Sequence, residues 1–402
     1  MSASVRAPEK PATVGLYVHL PWCVRKCPYC DFNSHAIKGG AGSELPEKKY
    51  VQALLADLDQ DLGEPGVVVS SIFLGGGTPS LFSPSSIEAL LTGIADRLQL
   101  TADAEITLEA NPGTVEQSRF DGFHAAGVNR LSLGIQSFDD GKLKALGRIH
   151  DAGQCRAAIE AARAAGFDNL NLDLMFALPE QSVEQAIQDV RIALSFAPEH
   201  VSHYQLTLEP NTLFYAQPPA LPDDDSAWDM QQGAGELLIG AGLHAYEISA
   251  WAQTGRECRH NLNYWRFGDY LGIGAGAHGK FTAGQRVTRT AKQRHPAAYM
   301  NQAAETGRIQ HGRRLSRDDL VFEFMLNRLR LAEGWTPAQF TAATGVDPGA
   351  IRVCLDRARE MGLLEFDGGR WTRTALGGRF LNDLQGLFLP PEPVLAGGVG
   401  LP

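Results

Sequence analysis

Six times between residues 15 and 208 a short apolar run rich in β-branched residues gives way to a helical pattern, and that alternation narrows the possible folds more than any other feature. GLYVHL (15–20), SIFLGG (71–76), EITLEA (105–110), RLSLGI (130–135), LNLDLMF (170–176) and VSHYQLTL (201–208) read as strands. The intervening PEKKYVQALLADLDQDL, SPSSIEALLTGIADRL, TVEQSRFDGFHAAG, SFDDGKLKALG, AGQCRAAIEAARAAG and SVEQAIQDVRIALSF read as helices. Several open on a Ser, Thr or Asp cap and close on glycine. Strands joined by helical crossovers pair in parallel. The expected fold class is therefore α/β, a partial parallel (β/α)6 barrel of TIM type, with a doubly wound sheet as the alternative.

The rhythm stops near residue 250. An aromatic and glycine-rich section over 251–311, containing HNLNYWRFGDYLGIGAGAHGKF, reads as a sheet extension or a lid. Over 312–388 the order of RDDLVFEFMLNRLRL, TPAQFTAATG, PGAIRVCLDRAREMGLL and GRWTRT suggests a small α+β module of winged-helix type. The barrel is expected over 13–250, with disordered termini at 1–12 and 389–402. A chain of 402 residues with 44% hydrophobic side chains can bury a large core. Its net charge of −10 offers no electrostatic footprint for nucleic acid, and the second helix of the winged-helix section mixes arginines with acids, so no nucleic-acid partner is expected. No signal-peptide core and no membrane-length apolar run is present, which places the chain in the cytoplasm.

Three of the six cysteines, Cys23, Cys27 and Cys30, fall in a C-x3-C-x2-C pattern just after the first strand. A structural zinc site needs four ligands, and His19 or His35 could supply the fourth. The spacing favours a four-iron cluster, in which three thiolates hold three irons and the last stays open to a ligand that is not protein. Cys155, Cys258 and Cys354 are scattered and read as small core hydrophobes. Other candidate ligand-binding groups sit at strand ends. Gly75, Gly76, Gly77 and Thr78 close the second strand, where glycine lets a ligand approach the backbone. Glu109, Gln136 and Asp173 lie at or near the ends of the third, fourth and fifth, the end on which parallel barrels build their sites; a capping role is the alternative for each.

The cysteine motif after a strand, with GGGTPS (75–80) ending the next, resembles the radical S-adenosylmethionine (SAM) superfamily. PWCVRKCPYCDFNSH, EANPGT, RLSLGIQSFDD, LNLDLMFALPEQ, HYQLTLEP and HNLNYWRFGDYLGIGAGAHG are similar to its branch containing oxygen-independent coproporphyrinogen III oxidase, over residues 12–388. The resemblance implies a [4Fe-4S] cluster on Cys23, Cys27 and Cys30, SAM bound to its open iron, and an electron donor for the cluster. It implies SAM contacts from Tyr17, Tyr29, Gly76, Gly77, Thr78, Glu109, Gln136, Arg148 and Asp173, and a weaker one from Thr207. It assigns no catalytic residue.

Two kinds of member compete within this branch. The oxidases of porphyrin biosynthesis decarboxylate coproporphyrinogen III by radical chemistry; their relatives are haem chaperones that pass haem to acceptor proteins, including respiratory enzymes at the membrane. An oxidase carries a fourth cysteine two residues after the third, where this chain has Phe32, and a longer N-terminal extension. The resemblance thus favours the chaperone and makes coproporphyrinogen oxidation the alternative. HNLNYW (260–265) matches the chaperones' HNxxYW signature, so His260, Asn261, Tyr264 and Trp265 are the expected haem contacts, because imidazole can ligate iron and the aromatic rings offer flat apolar area. Cys258, His278 and His203 are weaker candidates, and a packing role is the alternative for the motif.

Overall fold

The computed structural model describes residues 13–37, 44–61, 66–113, 118–284, 286–302 and 307–390; the expected disordered segments 1–12 and, but for its first two residues, 389–402 lie outside them. All six expected strands form: β1 (Val14–Leu20), β2 (Val68–Gly76), β3 (Gln99–Ala110), β4 (Arg130–Gln136), β5 (Leu170–Phe176) and β6 (His200–Gln205). They pair in parallel in sequential order, β1 through β6. A doubly wound sheet would reverse direction partway, so the arrangement is that of a barrel wound one way.

Six further strands extend these six into a twelve-stranded sheet. At one edge a hairpin, β7 (His244–Glu247) and β8 (Ala250–Ala252), runs antiparallel beside β6. At the other, β9 (Tyr270–Ile273) joins β1 in parallel, followed by an antiparallel meander of β10 (His278–Ala283), β11 (Arg286–Lys292) and β12 (Ile309–Arg314). The aromatic and glycine-rich section is therefore mainly an extension of the sheet.

Helices α1 (Glu47–Asp61), α2 (Pro84–Ala95), α3 (Phe120–Ala125), α4 (Asp140–Ala145), α5 (Ala152–Ala164) and α6 (Val183–Ser195) fill the expected crossovers. Asp151 and Ser182 form capping boxes at the starts of α5 and α6, each closing two otherwise unpaired backbone donors. The helices cover the face that carries Leu16, Val18, Ile72, Leu74, Leu131, Leu133, Leu172 and Val201, all fully buried. Burying each such side chain contributes about 1.5–3 kcal/mol. Because side chains alternate along a strand, the opposite, concave face receives Tyr17, Phe73, Glu109, Ser132, Gln136 and Asp173. The site is built on that polar face.

Of the described helices with no counterpart in the sequence reading, two are the longest. One is α7 (Asp224–Gly240), before the edge hairpin. The other, α8 (Arg259–Trp265), carries HNLNYW and packs on β2 and β1 inside the curve of the sheet. Beyond it, α9 (Arg317–Arg328), α10 (Pro337–Thr344) and α11 (Arg352–Glu360) precede a small hairpin, β13 (Leu364–Asp367) and β14 (Arg370–Arg373). Their core of Phe324, Trp335, Phe340, Leu355 and Leu384 also contains Phe267 and Val287, so the module is anchored to the sheet extension by buried apolar contact. Among the described residues no helix is long and apolar enough to cross a membrane.

Candidate functional site

The three cysteines lie on the loop that leaves β1. Trp22–Cys23 pairs briefly with His35–Ala36, and the backbone N–H of Gly77 donates to Leu20 O and that of Thr78 to Trp22 O. The glycines are needed at this crossing: a Cβ on Gly77 would lie 2.5 Å from Trp22 O, and Gly76, at φ +112°, would bring one within 2.5 Å of the His19 ring. The close approach expected of a ligand is thus made first by the protein itself.

Cys23, Cys27 and Cys30 are free thiols lining a chamber of ≈ 310 Å³ at the strand ends. With them stand Tyr29, Gly76, Gly77, Thr78, Glu109, Gln136, Arg148, Asp173 and Thr207, each expected from sequence. Among the described residues no three His, Cys, Asp or Glu side chains converge as a site for one ion. Donors do face the sulfurs: Arg148 Nη1 lies 3.7 Å from Cys27 Sγ, and Ser34 Oγ 3.7 Å from Cys30 Sγ. Burial pushes the Cys23 thiol up to about 11 and raises Cys30 as well.

The sequence reading missed two members of this wall. Asn111 donates through Nδ2 to Thr78 Oγ1 (2.8 Å) and accepts from Arg148 Nη2 (2.5 Å), tying the glycine loop to the arginine. Its signal was EANPGT, where it follows the strand-end carboxylate by two residues. Tyr204 donates to Gln136 Oε1 (2.7 Å), fixing a glutamine held at φ 68°.

Glu109 Oε2 accepts one hydrogen bond, from Gly76 N–H at 3.1 Å. Burial, then the charge of Asp173, push its carboxyl up to about 8. Asp173 is raised by burial against hydrogen bonds from Asn171 and Ser132. Two desolvated carboxyl groups in a ligand-sized chamber suit a cationic, hydroxyl-bearing ligand, which would supply the charge and the donors they lack. Stability should follow. Between pH 4.5 and 8 Glu109 is ionised in the unfolded chain but neutral in the fold, so its contribution is full below 4.5 and is lost as pH rises through about 8. Glu109→Gln should flatten that decline and stabilise the apo protein at pH 8 by about 1–3 kcal/mol, a value discounted for water in the chamber. Parallel denaturant curves at pH 5 and 8 for both proteins check this; identical pH slopes would contradict it.

Tyr17 stands on the other side of the Glu109 wall from the cysteines and faces two further chambers. The inner one, ≈ 330 Å³, is lined by Tyr17, Phe73, Glu109, Asp173 and all four motif residues, His260, Asn261, Tyr264 and Trp265. His260 is only 2% exposed. Its Nδ1 pairs with Ser71 Oγ at 3.0 Å, its ring stacks on Phe73, and burial lowers it to about 3. Its Nε2 and Trp265 Nε1 have no partner among the described residues. The outer chamber, ≈ 730 Å³, is bounded by Tyr17, Tyr264, Tyr270, His278, Arg294 and His311.

The weaker candidates separate. Cys258 is buried and donates to Glu105 Oε1, away from all three chambers. His203 is buried against Phe176 and also faces none of them. Cys155 lies in the barrel core and Cys354 against that of the C-terminal module. His278 alone of the weaker set lines a chamber.

Residues 17–193 match the Radical SAM superfamily, and residues 315–380 match the HemN C-terminal domain. The chain is 51% identical to heme chaperone HemW of Escherichia coli strain K12 over 94% of this chain and 98% of that one. It is 33% identical to heme chaperone HemW of Bacillus subtilis strain 168 over 93% of this chain and 98% of the other. Among solved structures, coproporphyrinogen III oxidase (HemN) of Escherichia coli aligns with a TM-score of 0.78 at 24% identity, covering 95% of this chain and 91% of that one. That likeness speaks to fold. Radical SAM membership implies a [4Fe-4S] cluster and SAM, and the donor set of the cysteine chamber fits both. Identity of 51% and 33% to these relatives, over 94% and 93% of this chain, shows that it belongs to the HemW family of radical SAM proteins.

Proposed function

We propose that the chain is a haem chaperone: it binds haem, a [4Fe-4S] cluster and SAM, and passes haem to an acceptor protein. The observation that carries this is the 51% identity, over nearly the whole of both chains, to a relative named as a heme chaperone. Phe32 in the position of an oxidase's fourth cysteine agrees with it; the side chain is 60% exposed and lines both the cysteine chamber and the outer one.

In this reading Cys23, Cys27 and Cys30 hold the cluster. Gly76, Gly77 and Thr78 receive the amino-acid end of SAM, while Tyr29, Glu109, Gln136, Arg148 and Asp173 contact the rest. Thr207, hydrogen-bonded to Glu209, borders the mouth. Tyr17 acts from behind the Glu109 wall. Cluster and SAM together supply one-electron reductive cleavage of a carbon–sulfur bond, for which a donor protein must deliver the electron. His260, Asn261, Tyr264 and Trp265 line the inner chamber, and Tyr264 is the one of the four that also borders the outer chamber. The acceptor is a haem-requiring respiratory protein at the membrane, and the chaperone acts in the cytoplasm.

The test is an anaerobic assay of reconstituted protein with SAM, reductant and coproporphyrinogen III, run beside a haem titration followed by optical absorption. Stoichiometric haem binding without decarboxylated product is expected. Decarboxylated product would make the chain an oxidase and overturn the reading.

A further inference from the structure

Resting on the reading that the chain carries haem, we propose that the iron is ligated in the outer chamber by the imidazoles of His278 and His311, with a propionate paired to Arg294. Three strands bring these groups together. His278 on β10 registers with Ala291 on β11, and Ala291 registers with His311 on β12. Directly paired residues share a face of the sheet, so the two imidazoles flank a small side chain. Adjacent strands lie about 4.8 Å apart, which starts the two rings from Cα atoms roughly 10 Å apart. That spacing lets two imidazoles meet one metal from opposite sides, with Ala291 as the floor of the slot.

The rest of the chamber suits a flat dianion. Tyr17, Tyr264 and Tyr270 supply the aromatic wall, Tyr264 and Tyr270 packing at 4.1 Å between ring centres. Of the cations lining it, Lys292 is committed to Asp57 and Asp61, whereas Arg294 has no side-chain hydrogen bond or ion pair among the described residues. The lining acids are Asp31 and Glu109, the latter held largely neutral near pH 7 by burial. At ≈ 730 Å³ this chamber lies well inside the range of roughly 300–1,000 Å³ usual for ligand sites, whereas the inner one, at ≈ 330 Å³, is at its floor.

Access decides between the two sets of histidine. His260 sits behind Tyr264 with its ring stacked on Phe73, and cargo held there could leave only if the wall moved. His278 and His311 are exposed, and no hydrogen bond or ion pair holds either ring among the described residues. A carrier needs ligands that an acceptor can reach and displace.

The experiment is titration of the full-length protein with hemin, read by Soret absorption and by electron paramagnetic resonance. It is repeated with His278→Ala, His311→Ala and the double variant, which should fold normally because neither ring holds a hydrogen bond. The wild type is expected to give a six-coordinate low-spin signal. Each single variant should shift it to high spin and weaken binding at least tenfold. A double variant with wild-type spectrum and affinity would put the ligands elsewhere and overturn this inference while leaving the chaperone reading intact. A wild type that binds no hemin would instead overturn the chaperone reading, and this inference with it.

Discussion

Cys27→Ser is expected to lose the iron–sulfur cluster while the protein folds as before. The sulfur sits on a partly exposed loop, and its one side-chain partner, Arg148 Nη1 at 3.7 Å, keeps bonds to Asn111 and Gly134 when the sulfur is replaced. A serine hydroxyl is too weak an acid to replace a thiolate on iron. Even loss of an outer-shell partner lowers metal affinity about 10–100-fold, and loss of a ligand should do at least as much. Iron and acid-labile sulfide per chain after anaerobic reconstitution should fall by at least about tenfold, with an unchanged far-ultraviolet spectrum. A full complement in the variant would remove Cys27 from the cluster.

The largest stability effect is expected at a site that touches neither cysteine nor histidine. Lys292 is fully buried and donates to Asp57 at 2.6 Å and to both oxygens of Asp61 at 2.7 and 2.8 Å. Asp57 also accepts from the Tyr299 hydroxyl and from Gly274 N–H, so it ties α1 to the end of β9. Asp57→Ala removes one partner of a buried pair and should cost about 3–5 kcal/mol. Combining Asp57→Leu with Lys292→Met should recover part of this, because apolar groups remove the desolvation cost along with the pairing. Urea unfolding of the three proteins measures both numbers. A loss below about 1 kcal/mol in Asp57→Ala would mean that the network contributes no more than exposed pairs do.

The barrel was legible because parallel strands covered by helices are nearly continuous apolar runs, and because capping residues punctuate the helices between them. RLSLGIQ is buried at every position, so β4 could be recognised but not oriented. The orientation is visible one level up, in the polar residues that recur every second position, such as Glu105, Thr107 and Glu109 on β3. Helix α8 was hidden for a different reason. In HNLNYW, His, Asn, Tyr and Trp have only middling helix propensity, and the packing that selects the helix comes from β1 and β2, far away in sequence. The pairing of Tyr270–Ile273 with β1 likewise spans some 250 residues, and no local pattern encodes it. The cysteine chamber was readable almost residue by residue because its members follow strand ends. The row of His278, Ala291 and His311 was not, since it exists only through the register of three strands.

Glu109 faces all three chambers, and Gly76, which donates to it, faces two. A nucleoside-bearing cation that draws a proton from Glu109 on one side therefore places a negative charge beside the compartment on the other. Any factor by which the first ligand changes affinity for the second must act equally in reverse. On the proposed reading, the supply of the first ligand would set how firmly the second is held, through a single carboxyl group that need touch neither the cluster nor the haem iron.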